Sequence, residues 1–315
     1  MPRFLLRLLI SLLLGCFMLL GMTACADADE ARVPLGARRE PRVLWLGTSI
    51  PAGCTYPAYA SQAIGMKCTN NAIPASFLCL PRLEGGIMSH TGYSLTMTAE
   101  EMEQTFRPYV KSGKLKNATL KYWKSISYAT LLLKELPGAD VVVIDHGFND
   151  RDVISQDLQQ RKEDVDWTSE DRTTFIGAFN YLYRQIREIN PDAVVCIGGY
   201  FQRSCTMGYA AAGNDVATMC EWIAEHYNLP LLDAWNYVDL PDGYKPHSAG
   251  YLDALNKKYG TDFRPKWTDA EGNITYFQCF CPDAIHPSSD PTGNSDSILN
   301  EVFARLLRER LLRLP

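Results

Sequence analysis

Three separated groups of polar residues could do chemistry together: Ser49, Asn149, and the pair Asp283 and His286. A serine hydroxyl becomes a nucleophile when a histidine takes its proton, and a carboxylate behind the histidine fixes the tautomer of the imidazole. Asp283 and His286 are three residues apart, so one short turn can present both side chains to the same point. Asn149 could donate a side-chain N–H to an oxyanion that develops at an attacked carbonyl.

Each group taken alone also has an ordinary structural explanation. A serine after Gly47 and Thr48 is typical of a strand-to-helix turn in which the hydroxyl caps the helix. An Asn-Asp pair after a strand commonly forms a turn, and a single Asp-x-x-His is commonly a surface turn. The chemistry therefore depends on whether the fold brings the groups together.

Buried strands come just before two of these groups. Apolar runs at 43–46 and 141–144 end shortly before Ser49 and Asn149, and continuous apolar runs of this length are typical of buried parallel strands. Further strands are predicted at 66–71, 193–197 and 229–232. Since helical segments alternate with the strands, the sequence predicts one α/β domain, with ligands bound at the carboxyl ends of its strands.

Two helix starts can be predicted from their capping residues. Thr98 is followed by Glu101, the pattern of a capping box. Apolar residues recur at helical spacing over 169–189, which predicts a helix that is capped by Ser169 and stopped by Pro191.

In order along the chain, three blocks resemble the motifs of the SGNH (GDSL-type) hydrolase family: Gly47-Thr48-Ser49-Ile50, Gly147-Phe148-Asn149-Asp150 and Asp283-Ala284-Ile285-His286. The resemblance spans about residues 42–312. It implies a three-layer α/β/α flavodoxin-like fold whose central parallel sheet has the strand order 2-1-3-4-5. It also implies a serine esterase that needs no metal and no cofactor.

The resemblance assigns a role to each site residue. Ser49 is the nucleophile, His286 the base and Asp283 the acid that orients it, while Asn149 and the backbone N–H of Ser49 donate to the oxyanion. The family's remaining donor is a glycine N–H after the second strand, and the best match here is Ala75, which departs from the family because an alanine does not take a positive φ cheaply. Thr48 stands where the family has an aspartate outside the triad.

The expected reaction is hydrolysis of a carboxylic ester through an acyl-enzyme. An aromatic-rich insertion at about 235–280 would suit the faces of sugars, so an acetylated cell-surface or extracellular glycan is one expected substrate. These aromatics could equally pack the insertion's own core. A lipase, a thioesterase or an O-acetyltransferase could use the same triad, and a non-catalytic carbohydrate-binding lipoprotein could use the same fold.

The pattern of the N-terminal residues predicts an export signal. Arg3 and Arg7 precede an apolar stretch at 8–21, and the following Met22-Thr23-Ala24-Cys25 resembles a bacterial lipobox. This predicts a lipoprotein-type signal peptide at 1–24, a lipid on Cys25 and a polar tether at 25–41. Cys16 fits the same pattern with a shorter apolar region, and an ordinary secretory signal or an uncleaved anchor remains open. The expected protein is exported and lipid-anchored to a bacterial membrane, on the periplasmic or cell-surface side.

The composition bears on the binding partners and on the role of the cysteines. The 315 residues carry a net charge of -5 with no long run of one sign, which argues against a nucleic-acid partner. Besides Cys25, eight cysteines follow the predicted signal peptide, and an exported chain meets conditions in which disulfides form. Cys279 and Cys281 have the wrong spacing for a zinc knuckle, so the cysteines are interpreted as structural.

Overall fold

A computed structural model describes residues 39–80, 93–200, 209–234 and 295–311, with short pieces between them at 83–84, 87–88, 253, 256–258, 260, 267–268, 274–276 and 286–287. The chain divides into two units, Met1–Glu40 and Pro41–Pro315. The predicted signal peptide, Cys25 and most of the 235–280 insertion lie outside the described residues. Among the helices that are described, none is long and apolar enough to span a bilayer.

Within the described residues, nine strands form one large and two small sheets. They are β1 (Arg42–Gly47), β2 (Lys67–Asn70), β3 (Leu83–Glu84), β4 (Ile87–Met88), β5 (Val141–Asp145), β6 (Val194–Gly199), β7 (Leu231–Asp233), β8 (Trp267–Thr268) and β9 (Ile274–Tyr276). The large sheet has the order β2-β1-β5-β6-β7, and all its neighbouring strands are parallel. Numbered by themselves, its strands are ordered 2-1-3-4-5, which confirms the predicted flavodoxin-like fold. The pairs β3–β4 and β8–β9 are antiparallel.

Helices connect and cover the strands. They are α1 (Ser49–Gly53), α2 (Tyr56–Ala63), α3 (Ala99–Lys111), α4 (Asn117–Ile126), α5 (Tyr128–Glu135), α6 (Arg151–Asp157), α7 (Phe175–Ile189), α8 (Tyr209–Tyr227) and α9 (Ser295–Leu311), with 3-10 turns at Leu136–Gly138 and Lys162–Asp164.

The central strands of the large sheet are buried on both faces, and β1 shows how. Leu44 and Leu46 belong to a core that includes residues of α3, α5, α7 and α8, whereas Val43 and Trp45 belong to a second core that includes residues of α2 and α9. Side chains of a strand alternate between the two faces of a sheet, so one apolar run feeds both cores. The result is the expected arrangement of three layers.

The predicted start of α3 is confirmed as a full capping box. The Thr98 hydroxyl accepts a hydrogen bond from the Glu101 backbone N–H at 3.1 Å, and the Glu101 carboxylate accepts one from the Thr98 N–H at 2.8 Å. Both bonds satisfy N–H groups that would have no partner in the first turn.

The predicted start of α7 at Ser169 is wrong, because α7 begins at Phe175 with Thr174 as its cap. Side chains hold the preceding segment in turns: the Ser169 hydroxyl accepts the Asp171 N–H at 3.2 Å, and the Asp171 carboxylate accepts the Thr173 N–H at 2.9 Å. Short polar side chains that bond the nearby backbone compete with helix, and here they delay its start by a turn and a half.

Candidate active site

Ser49 lies at the carboxyl end of β1 as the first residue of α1, with its side chain half-buried. The turn is tight because Gly47 packs closely against its surroundings. A Cβ at Gly47 would lie 2.5 Å from Cγ of Pro51 and 2.8 Å from the carbonyl oxygen of Asp145, so no larger residue fits without displacing backbone. The turn therefore presents the hydroxyl at the edge of the sheet where ligands bind in this fold.

His286 contacts Ser49 directly. A distance of 2.8 Å separates its Nε2 from the Ser49 Oγ, although 237 residues separate the two along the chain. This is the distance at which a histidine can take the proton of an attacking hydroxyl. Asp283, the predicted orienting acid, lies outside the described residues.

Asn149 follows β5, the strand that pairs with β1 at Gly47. Its Nδ2 donates to the carbonyl of Ser76 at 2.8 Å. An amide nitrogen carries two N–H groups, so one can hold the side chain in place while the other serves a ligand. The loop needs glycine at Gly147, where φ is +127° and a Cβ would lie 2.7 Å from Cγ1 of Val216.

Ala75 has the backbone conformation of a glycine. Its φ is +58°, in the left-handed region that an L-residue enters at a cost of about 1 kcal/mol. The residue is exposed, and its segment is joined to the end of β1 by a hydrogen bond of 2.8 Å from the Ile73 N–H to the Gly47 carbonyl. The position at which the family's glycine was expected is thus one that does require a positive φ.

Asp150 is a residue that the sequence marked only as the second half of a turn. It is 1% exposed, and its carboxylate accepts the backbone N–H groups of Leu78 at 3.0 Å and of Cys79 at 2.8 Å. The available signal was an acid directly after the candidate oxyanion donor, but nothing in the spacing pointed to these partners.

Two more ionisable residues that the sequence did not single out are buried at the end of β5. Asp145 accepts hydrogen bonds from Trp45 Nε1 at 3.2 Å and from the Tyr56 hydroxyl at 2.6 Å, and burial outweighs these bonds to raise its pKa to about 7. His146 shares a hydrogen bond of 2.6 Å with the Tyr128 hydroxyl, and burial lowers its pKa to about 3. The signal here was a polar pair that directly continues an apolar strand.

The described part of the chain contains no group of three histidine, cysteine or acidic side chains arranged to hold a metal ion. Within it, Cys68, Cys196 and Cys220 are free thiols, and burial raises the pKa of Cys196 to about 12. Cys205, Cys279 and Cys281 lie outside it. Cys196 and Cys220 are buried, and a buried thiol with a raised pKa is unreactive.

Comparison with protein-family models and with curated proteins gives no match. Solved structures do resemble the chain in part. A putative GDSL-like lipase from Bacteroides ovatus is 12% identical, with a TM-score of 0.41, and the alignment covers 86% of this chain and 100% of that one. A possible lipase from Chitinophaga pinensis is 14% identical, with a TM-score of 0.41 over 86% of this chain and 98% of that one.

A catalytic mutant of an acetylxylan esterase from Geobacillus stearothermophilus is 15% identical, with a TM-score of 0.38 over 85% of this chain and 94% of that one. Likenesses at this level carry no argument about activity or substrate. The fold rests on the strand order, and the site rests on its own geometry. Together these define a flavodoxin-like α/β protein with a hydrogen-bonded Ser49–His286 pair at the carboxyl edge of its sheet.

Proposed function

We propose that this protein is a serine esterase of the SGNH type, which hydrolyses a carboxylic ester through an acyl-enzyme. The observation that carries the proposal is the 2.8 Å hydrogen bond between Ser49 Oγ and His286 Nε2. The left-handed backbone of Ala75 and the fixed amide of Asn149 support it, since both suit donors to an oxyanion.

The reaction follows from these roles. Ser49 Oγ attacks the ester carbonyl carbon while its proton passes to His286 Nε2, and the oxyanion is held by the Asn149 amide and the N–H groups of Ser49 and Ala75. Collapse breaks the bond to the alcohol, which leaves with the proton from His286. Water then attacks the acyl-enzyme, His286 takes a proton from the water and returns it to Ser49, and the carboxylic acid leaves. Asp283 would orient His286 throughout.

The test uses purified protein and p-nitrophenyl acetate. Ser49→Ala and His286→Gln should each lose nearly all turnover, while Ser125→Ala, which changes an exposed serine on α4, should keep it. A fluorophosphonate should attach to Ser49 and block activity. The proposal fails if wild-type protein neither turns over the ester nor reacts with the fluorophosphonate, or if Ser49→Ala keeps the wild-type rate.

For the substrate, we propose an acetylated glycan at the cell surface or outside the cell. The support is compositional: the segment before His286 contains Tyr237, Tyr251, Trp267 and Tyr276, and flat aromatic faces suit sugars. Release of acetate from acetylated polysaccharides would support this class. Good hydrolysis of long-chain acyl esters without any glycan deacetylation would instead favour a lipase or thioesterase, and transfer of acetyl to an added sugar would favour an acetyltransferase.

We also propose that the protein is exported and held on a bacterial membrane by a lipid on Cys25. The support is the lipobox-like Met22-Thr23-Ala24-Cys25 after an apolar stretch. Metabolic labelling with a palmitate analogue tests it. Cys25→Ser should abolish labelling and Cys16→Ser should not, while the reverse result would move the lipid to Cys16.

A further inference from the structure

Asp150 occupies the cap position of α6 but does not cap it. Its side chain makes no hydrogen bond to the first turn, and only its backbone carbonyl accepts bonds there, from the N–H groups of Val153 and Ile154 at 3.0 Å each. An aspartate at this position ordinarily bonds the free N–H groups of its own helix. The backbone of Asp150 has φ −86° and ψ 7° instead of the extended conformation of an ordinary capping residue, and its carboxylate bonds another segment.

The Asp150 carboxylate accepts hydrogen bonds from a segment about 70 residues away in the chain. The Leu78 N–H lies 3.0 Å from Oδ1 and 3.1 Å from Oδ2 of Asp150, and the Cys79 N–H lies 2.8 Å from Oδ1. Leu78, Cys79 and Asp150 are all buried, at 0%, 3% and 1% exposure. Hydrogen bonds to a carboxylate are stronger than those between neutral groups, and burial removes the competing water.

Residues 73–76 of the same segment make hydrogen bonds to Asn149 and to Gly47. The Ser76 carbonyl accepts the Asn149 amide at 2.8 Å, and the Ser76 hydroxyl donates to the Ile73 carbonyl at 2.7 Å. The Ile73 N–H in turn bonds the Gly47 carbonyl at 2.8 Å. Residues 73–79 are thus fastened to the end of β1 at one end and to Asp150 at the other, with the left-handed backbone of residue 75 between them.

We infer that Asp150 is the positioning residue of the oxyanion site. By holding Leu78 and Cys79 against the Asn149 loop, it sets the separation between the Asn149 amide and the N–H of Ala75. It does not touch the substrate. The inference rests on the proposed esterase function, because it gives these two groups the role of oxyanion donors. Misplacement of a donor by about 1 Å can cost on the order of 100-fold in rate, so the constraint matters for turnover.

The first measurement compares Asp150→Asn with Asp152→Asn, which changes an exposed acid two residues along on the same helix. Asp150→Asn keeps one acceptor oxygen but removes the negative charge and places an NH2 group where Oδ2 lies 3.1 Å from the Leu78 nitrogen. Because the segment should then shift, kcat should fall roughly 10- to 100-fold with KM within about 3-fold. Asp152→Asn should leave both constants unchanged. If Asp150→Asn does not fold at the assay temperature, Asp150→Glu shifts the carboxylate by one methylene, and its kcat should fall at least about 5-fold with KM unchanged.

A double-mutant cycle with Asn149→Ala separates positioning from a merely structural role. If Asp150 acts by aligning the donors, the combined loss in kcat should be at least about 5-fold smaller than the product of the two single losses. A combined loss equal to that product overturns the inference, and so does wild-type kcat in folded Asp150→Asn or Asp150→Glu.

Amide hydrogen exchange tests the contact without relying on activity. In Asp150→Asn, exchange in residues 76–80 should become at least about 10-fold faster, while β6 should keep its protection. Unchanged exchange in residues 76–80 overturns the inference even in an active enzyme. An inactive wild type with the expected exchange pattern would instead reject the esterase proposal and leave the constraint itself demonstrated.

Discussion

Asp145 and His146 are neighbours in the chain whose side chains enter opposite layers of the protein. Asp145 bonds Trp45 and Tyr56, which belong to the core shared with α2 and α9. His146 bonds Tyr128, which belongs to the core on the other face. Burial drives both groups toward their neutral forms, because it raises the pKa of Asp145 to about 7 and lowers that of His146 to about 3.

These two shifts predict opposite slopes of stability against pH. Asp145 binds a proton more tightly in the folded protein than in the unfolded chain, where its pKa is the ordinary 3.8. The stability that protonated Asp145 contributes to the folded state is therefore lost as pH rises from about 4 to about 7. For His146, with an ordinary pKa of 6.5, the unfolded state binds the proton more tightly, so its contribution is lost as pH falls from about 6.5 to about 3. In the wild type the two largely cancel between pH 4 and 6.5.

Single substitutions should reveal the pH dependence of stability that each residue contributes. Urea unfolding measured from pH 4 to 7 should show that Asp145→Asn gains stability with rising pH relative to the wild type, and that His146→Gln loses stability over the same range. A difference of one bound proton changes the free energy of unfolding by about 1.4 kcal/mol per pH unit, so the difference from the wild type should change by a few kcal/mol across this range. Curves parallel to the wild type in both variants would contradict the burial argument.

Asn149→Ala should remain folded and lose turnover. Removing one oxyanion donor costs roughly 100- to 1,000-fold in kcat, with KM within about 3-fold, because the donor acts on charge that develops only in the transition state. Steady-state kinetics with p-nitrophenyl acetate measures this. Asn117→Ala, which changes an exposed asparagine at the start of α4, is the matched control and should keep wild-type constants. A loss that is confined to KM would remove Asn149 from this role.

Gly47→Ala should destabilise the protein by a few kcal/mol and disturb Ser49. The new Cβ would lie 2.8 Å from the Asp145 carbonyl oxygen, a backbone atom that cannot move without shifting β5. Thermal unfolding and esterase rate are the measurements. Gly53→Ala, at the other end of α1, meets nothing within 4 Å and should be neutral or slightly stabilising. Equal behaviour of the two variants would argue against the close packing of Gly47.

Ala75→Gly should keep activity within about 2-fold, since it retains the backbone N–H. It should also be as stable as the wild type or up to about 1 kcal/mol more stable, because glycine adopts a φ of +58° without strain. Ala72→Gly is the control: Ala72 does not have a positive φ, so its replacement should cost about 0.5–1 kcal/mol. A fall in activity of 10-fold or more in Ala75→Gly would show that the methyl group contributes to the site.

Local sequence determined the parts of the structure that depend on neighbours in the chain. The run at 141–144 is apolar at every position, which a buried parallel strand requires, and β5 is observed at Val141–Asp145. Thr98 and Glu101 carry their own mutual hydrogen bonds, so the start of α3 could be read directly. The start of α7 could not, because turn-forming bonds of Ser169 and Asp171 compete with helix over the same residues.

Tertiary structure alone decided which side chains meet. Ser49 and His286 are separated by 237 residues, so only the tertiary structure brings them within 2.8 Å. Ala75 has a positive φ because its segment is tied to Gly47 and to Asp150, a strain that its own residue type disfavours. The carboxylate of Asp150 does not cap its own helix, because the packing of residues 78–79 beside it gives it other partners. Residue types thus determined which chemical groups were available, while packing determined the protonation state and the hydrogen-bond partners of each group.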